Sequence, residues 1–230
     1  MKILAVDTAT EACSAALRIE GETISEFQLA PGAHTQLILQ MVERLLQQAD
    51  IKIAALDALA FGRGPGSFTG VRIATGIVQG LAFASDLGVI PISTLAAIAQ
   101  RASEEHAHKN VLAGIDARMG EVYWGCYQQA DNGLVTLQGT EQVSRPEALE
   151  ISDPQIDWLG AGSAWGSYAE PLQLKLKPQV SRYDAHCLPS AVHIVQLAQY
   201  QYQQGRCVEA AQALPVYLRN DVAKKSTKKV

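Results

Sequence analysis

Residues 58–62, Ala-Leu-Ala-Phe-Gly, form a short apolar run of the kind that becomes a buried strand. Gly62, Gly64, Pro65, Gly66 and Gly70 break the chain directly after it. From there Val71, Ala74, Ile77, Val78 and Leu81 recur at helical spacing and predict a helix over 71–86. A buried strand that turns on glycines into a helix restricts the chain to α/β packing, and the other elements have to assemble around that unit. Gly76, Gly80 and Ala84, four residues apart, give the helix a ridge of small side chains that another backbone could approach closely.

The turn Gly64-Pro-Gly-Ser-Phe-Thr-Gly70 has two physical readings. Glycines before a helix N-terminus suit an anion, because free amides and the helix dipole point at the turn. The plainer reading is a sharp strand-to-helix corner. No lysine follows the last glycine, so the turn is not a Walker loop, and Ser67 lacks the Gly-x-Ser-x-Gly spacing of a nucleophile elbow.

Taken in order, residues 3–6, 14–19 and 23–29 read as three strands, the last two joined by a hairpin at Glu20-Gly21-Glu22. Residues 34–49 carry Ile38, Met41, Val42, Leu45, Leu46 and Ala49 at helical spacing, with Leu37 and Leu39 widening the apolar arc. So broad an arc suits either a helix with surface left for a partner or one that is deeply buried. The glycine unit follows, then a strand at 89–92 and a helix at 94–105. The order then repeats, with strands at 111–117, 122–128 and 135–143, the last hairpin marked by Asp131-Asn-Gly133. A short helix at 146–150, a strand at 157–160, a weak helix at 163–168 and a strand near Val180 come next. A strong helix closes the series at 190–204, with Ser190 and Gly205 as caps. The halves open alike, Ile3-Leu-Ala-Val-Asp-Thr-Ala9 against Val111-Leu-Ala-Gly-Ile-Asp-Ala117, as a duplicated lobe would.

With 230 residues there is room for two lobes, here 1–107 and 108–218, followed by a basic tail at 219–230. A hydrophobic fraction of 48% fits a globular chain, and a formal charge of −4 argues against a broad basic face for nucleic acid. The one basic run, Lys224-Lys-Ser-Thr-Lys-Lys229, reads as a solvated tail. No apolar run reaches the roughly 18 residues of a membrane span, and Lys2 leads straight into a strand, so the expectation is a cytoplasmic protein with no membrane contact. Cys13, Cys126, Cys187 and Cys207 lack the close pairs of zinc or redox motifs and read as reduced, mostly buried thiols.

The string Phe61-Gly-Arg-Gly-Pro-Gly-Ser-Phe-Thr-Gly-Val-Arg72 resembles the signature of the bacterial TsaB (YeaZ) family, relatives of TsaD within the actin-like superfamily that includes the sugar kinases. Three further stretches resemble that family's landmarks in the same order. They are Met1-Lys-Ile-Leu-Ala-Val-Asp-Thr-Ala-Thr-Glu-Ala-Cys13, Ile115-Asp-Ala-Arg-Met-Gly-Glu-Val-Tyr-Trp124 and Pro215-Val-Tyr-Leu-Arg219. The resemblance covers nearly the full length. It implies two actin-like (ribonuclease H-like) lobes, each of three strands, helix, strand, helix, strand, helix.

The resemblance also implies a function: a non-catalytic partner of TsaD, which transfers threonylcarbamoyl onto adenosine beside the anticodon of tRNAs reading codons that begin with A. TsaC or a relative would supply the adenylate, and the ATPase TsaE would join the pair. ATP or ADP would enter only with the complex, tRNA contact would be indirect, and the chain alone would form a homodimer. Superfamily enzymes hold phosphates in a hairpin that carries an acid, then a glycine, then a hydroxyl residue. Asp7-Thr8-Ala9-Thr10 puts alanine at the glycine's place, and the second lobe offers Asp116-Ala117-Arg118-Met119 without a hydroxyl. Asp7 could contact a metal-bound water or be a strand-end carboxylate met by turn amides, the simpler reading. TsaD carries two metal-binding histidines four apart after the helix and strand that follow its own turn. This chain has Pro91-Ile-Ser-Thr-Leu-Ala-Ala-Ile-Ala99 there, and no two of His34, His106, His108, His186 and His193 are four apart. A small-molecule kinase or ATPase is the alternative reading, and a zinc peptidase a third.

The candidate partner interface is Leu37, Met41 and Leu45 on the first helix with Arg72, Thr75, Gly76, Gly80 and Phe83 on the second, packed as four helices with counterparts on TsaD. Arg72 sits at the unfavourable end of a helix dipole and predicts an acidic neighbour, in the chain or on a partner. The turns contribute Arg63, Gly64, Pro65, Gly66, Arg118 and Glu121, with an Arg118–Glu121 ion pair expected across the second-lobe hairpin.

Overall fold

The computed structural model describes residues 1–151, 153 and 155–219. The first sheet runs in the order β3-β2-β1-β4-β5, from β1 (Lys2–Asp7), β2 (Ala12–Ile19), β3 (Glu22–Leu29), β4 (Ala58–Gly62) and β5 (Gly88–Ile92). The second runs β10-β9-β6-β7-β8, from β6 (Asn110–Arg118), β7 (Glu121–Gln129), β8 (Val135–Ser144), β9 (Leu159–Ala161) and β10 (Arg182–Asp184). Each sheet pairs its first three strands antiparallel and its last two parallel, so the duplication is one of topology. The register agrees with it, since Ile3 faces Ala58 on β4 as Val111 faces Leu159 on β9.

Among the described residues six helices complete the fold: α1 (His34–Gln48), α2 (Phe68–Ser85), α3 (Thr94–His106), α4 (Ala164–Ser167), α5 (Ala169–Leu176) and α6 (Ala191–Gln203). The alternation of side chains along a strand divides their packing. On β1 and β4, Leu4, Val6, Leu59 and Phe61 meet α1 and α2, whereas Ile3, Ala5, Ala58 and Ala60 meet α6. On the second sheet Leu112, Trp124 and Cys126 meet Trp165 of α4 and Leu172 of α5. Its other face, with Val111, Ala113 and Tyr127, receives α3.

Thus α3, which the chain makes with the first sheet, covers the second, and α6, made with the second, covers the first. The two touch each other in the middle of the molecule. Small residues permit this double layer, among them Ala97, Ala99 and Ala102 of α3 and Ala191 and Ala198 of α6, all fully buried.

The structure departs from expectation in four places. Helix α2 begins at Phe68 because Ser67 caps it, its Oγ accepting from the Gly70 amide at 3.3 Å. The helix expected at 146–150 is a single 3-10 turn, Pro146–Ala148. The strand expected near Val180 is β10, two residues later. Helix α5 adds to the weak helix expected at 163–168; its Pro171 lies in the first turn, where a missing amide costs nothing. Of the basic tail at 219–230, only Arg219 lies within the described residues.

Candidate functional site

The glycine turn is packed with the chain's own backbone. A Cβ on Gly66 would stand 2.4 Å from the Ala9 carbonyl oxygen, one on Gly70 2.0 Å from that of Thr8, and one on Gly62 1.9 Å from Asp7 Oδ1. The Ser67 amide donates to Ala9 O at 2.7 Å and Thr8 Oγ1 donates to Gly70 O at 2.6 Å. The glycines therefore let residues 7–9 press onto the turn, and the corner reading holds. Three amides of the turn are already bonded within the chain: Ser67 to Ala9 O, Gly70 to Ser67 Oγ and Val71 to Ser67 O.

The actin-like fold implies a nucleotide between its two lobes, and the residues here do not fit one. Thr8 is fully buried, with its hydroxyl committed to Gly70, and Ala9 packs directly against Gly66, leaving no gap between the hairpin and the turn. Asp7 is fully buried too. Its Oδ1 has no partner, its Oδ2 has one amide, Ala9 N at 3.4 Å, and burial pushes its pKa up to about 7. This corrects the picture of a carboxylate met by turn amides, since a nearly unpartnered buried acid holds its proton instead.

Asp116 is not the register equivalent of Asp7. With Val111 in the place of Ile3, that position falls to Ile115, which is buried. Asp116 is saturated by its own lobe, accepting from the Arg118 amide at 2.7 Å, Arg118 Nη1 at 3.0 Å, and Ser167 Oγ and Tyr168 Oη at 3.1 Å each.

The arginines and Glu121 find partners that their sequence neighbours do not announce. Arg118 pairs with Asp116 and not, as expected, with Glu121; Arg219 takes Glu121, its Nε donating at 2.9 Å. The stretch 215–219 thus closes over the seam between the lobes, with the Val216 amide donating to Arg63 O at 2.8 Å and Val216 O lying 3.1 Å from a Cβ placed on Gly64. Arg72 has no carboxylate partner among the described residues. Its guanidinium lies 3.6 Å from the Phe68 ring centroid and its Nε donates to Tyr217 Oη at 2.8 Å, so π faces and a phenol stand where an acid was expected.

Of the expected interface residues, Met41, Leu45 and Thr75 are buried within the chain. The first two join the core beneath α1, and Thr75 Oγ1 donates to Val71 O at 2.8 Å. Leu37 is half-buried against the same core. The sheet consumes most of α1's apolar arc, and Leu39 remains as its one large exposed apolar residue. On α2 the outer face is open. Arg72, Gly76, Gly80 and Ala84 form an exposed stripe beside Phe83, which is 85% exposed. Neither Gly76 nor Gly80 would bring a Cβ within 4 Å of anything, and neither has a positive φ.

Glu105, His106 and Asp184 are the one group of three potential metal ligands among the described residues, at the surface, with Glu105 already held by Arg101 at 2.8 Å. Cys13, Cys126 and Cys187 are buried thiols pushed up by burial to about 11, 11 and 12, and Cys207 is exposed. No described helix is long and apolar enough to cross a membrane.

A family model described as TsaD: tRNA N6-adenosine threonylcarbamoyltransferase matches residues 28–229. The tRNA threonylcarbamoyladenosine biosynthesis protein TsaB of Escherichia coli K12 is 44% identical over 225 residues, 97% of this chain and 96% of that protein. The chain belongs to the TsaB (YeaZ) family. The Haemophilus influenzae protein of the same name is 42% identical, over 96% of this chain and 95% of its own. Among solved structures, YeaZ from Pseudomonas aeruginosa is 49% identical and superposes with a TM-score of 0.88, covering 94% of this chain and 99% of that one. A second Pseudomonas aeruginosa structure, described as similar to peptidase YEAZ, gives 49% identity and a TM-score of 0.88 over 95% and 99%. TsaB-family membership accounts for the two-lobed α/β architecture and the tight glycine corner together.

Proposed function

We propose that this chain is a non-catalytic partner of the transferase TsaD in making threonylcarbamoyladenosine on tRNAs that read codons beginning with A. The observation that carries the reading is the outer face of α2. Two glycines inside a helix each cost about 1 kcal/mol relative to alanine, and nothing in the monomer requires them. A second helix packed against Gly76 and Gly80, with Phe83 and Arg72 at the edges, would supply the reason. The poor fit of Asp7, Ala9 and Asp116 to a phosphate supports a binding role over a kinase or ATPase. In this reading TsaD docks on α2 with the exposed edge of α1, and TsaE joins the pair. TsaC supplies the adenylate, and nucleotide and tRNA are held by the complex in the cytoplasm. A second copy occupies the same face when TsaD is absent.

The test is to mix the purified chain with TsaD and follow sedimentation, and to follow tRNA modification with TsaE, TsaC and its substrates supplied throughout. A complex that forms with the native chain and fails with Gly80→Phe, and modification only when both proteins are present, is the expected result. Modification by the chain alone, or TsaD binding that Gly80→Phe leaves intact, would overturn the reading.

A further inference from the structure

Strand β8 is an edge strand with a mostly exposed face, and a glutamate on it would ordinarily point to water. Glu141 does not: its side chain is 6% exposed. Trp124 pairs with Gln142 and Cys126 with Gln138, so Gly125 alone faces residues 139–141, a bulge that bends β8. Gly139 takes φ +82°, and Gly125 leaves room for the bend, since a Cβ there would meet Tyr127 Cε2 at 3.0 Å and Glu141 Cγ at 3.5 Å.

The bend drives Glu141 into the seam between the lobes. Its Oε1 accepts from Tyr127 Oη at 2.5 Å and from Ser93 Oγ, and its Oε2 lies 3.5 Å from Arg63 Nη2. Burial and the adjacent carboxylate hold the Tyr127 phenol well above its ordinary range, so it stays a donor. Ser93 caps α3, and Arg63 opens the glycine turn. Backbone bonds join those two segments, Arg63 N to Ile92 O at 2.8 Å and Thr94 N to Gly64 O at 3.1 Å. A single carboxylate from the second lobe thus meets both the turn that launches α2 and the cap that launches α3. Burying a charge is costly unless each lone pair is met, and an apolar residue here would leave Ser93 still capping Ala96 at 3.3 Å. The carboxylate is therefore not required by the cap.

We infer that Glu141 is a positioning residue through which the second lobe fixes the placement of the glycine turn and the start of α2. Its weight in function rests on α2 being the docking helix; the positioning itself does not, and is tested on the isolated chain. Amide hydrogen exchange is followed by mass spectrometry in peptides covering 63–72, with peptides covering 164–176 as the internal reference. Glu141→Gln keeps the shape and removes the charge. Exchange at 63–72 should rise at least tenfold while 164–176 is unchanged. Arg63→Met should give a comparable rise, and the double variant no more than either single one. Tyr127→Phe, which removes one donor and keeps the ring, should give a smaller rise in the same peptides and guards against a Glu141 variant that fails to fold. Unchanged exchange at 63–72, an equal rise in both regions, or effects of Arg63→Met and Glu141→Gln that multiply would overturn the inference.

Discussion

Replacing Gly76 and Gly80 by alanine should strengthen the monomer and weaken its association. At neither position would an added Cβ find a neighbour within 4 Å, and neither has a positive φ, so alanine meets no clash and brings only its better helix propensity. That gain is about 1 kcal/mol per site, and although the two sites are one helical turn apart, neither added methyl shares a contact with the other, so together they should give about 2 kcal/mol. For a chain of this size about 1 kcal/mol moves Tm by roughly 2–4 °C, so the double variant should melt about 4–8 °C higher. Urea unfolding is the assay, at a concentration where sedimentation gives monomer for both proteins, because a dimer would add its own concentration-dependent stability. The same variant titrated with TsaD should lose at least about tenfold in affinity, or about 1.4 kcal/mol, because two methyl groups hold the approaching helix away. A monomer that the alanines destabilise would show that the glycines serve the fold. A stabilised monomer with undiminished TsaD affinity would show that nothing packs there.

Alanine at Gly70 should do the opposite, since its Cβ would lie 2.0 Å from a backbone oxygen that cannot rotate away; a loss of roughly 2–4 kcal/mol in urea unfolding is expected. Asp7 keeps its proton in the folded chain to about pH 7 but releases it near 3.8 when unfolded. Stability should therefore fall as pH rises from about 4 to about 7 and level off above. Asp7→Asn should abolish that slope and gain about 4 kcal/mol at pH 8, read as denaturation midpoints across pH. Mg-ATP titrated into the isolated chain should give no saturable heat by calorimetry, because residues 7–9 pack onto the glycine turn and the Thr8 hydroxyl is committed to Gly70. Removing the half-exposed Arg219–Glu121 pair with Glu121→Gln should cost under about 1 kcal/mol, while loosening amide protection at 215–219.

The parts of the fold legible in the sequence were those written in local periodicity. The apolar runs at 3–6 and 58–62 and the glycines after the second mark the strands, the corner and the repeat of the lobe. What escaped depends on distant partners. The apolar arc of α1 showed that the helix is buried on one side but not how far the sheet reaches around it, so Met41 and Leu45 stood as surface candidates although both are core. Arg72 lies 145 residues from the tyrosine that receives it, and an aromatic pair leaves no charge pattern to search for. The bulge that turns Glu141 inward has one signal, Gly139 inside an otherwise alternating strand, and a glycine there reads as readily as a weak point. Helix α5 is only eight residues long, too short for helical periodicity to mark it.

Because α3 and α6 cross to opposite sheets, a cut of the polypeptide near residue 107 would strand each half beside an uncovered apolar wall. Neither fragment made alone should be soluble, whereas the two produced together should reassemble.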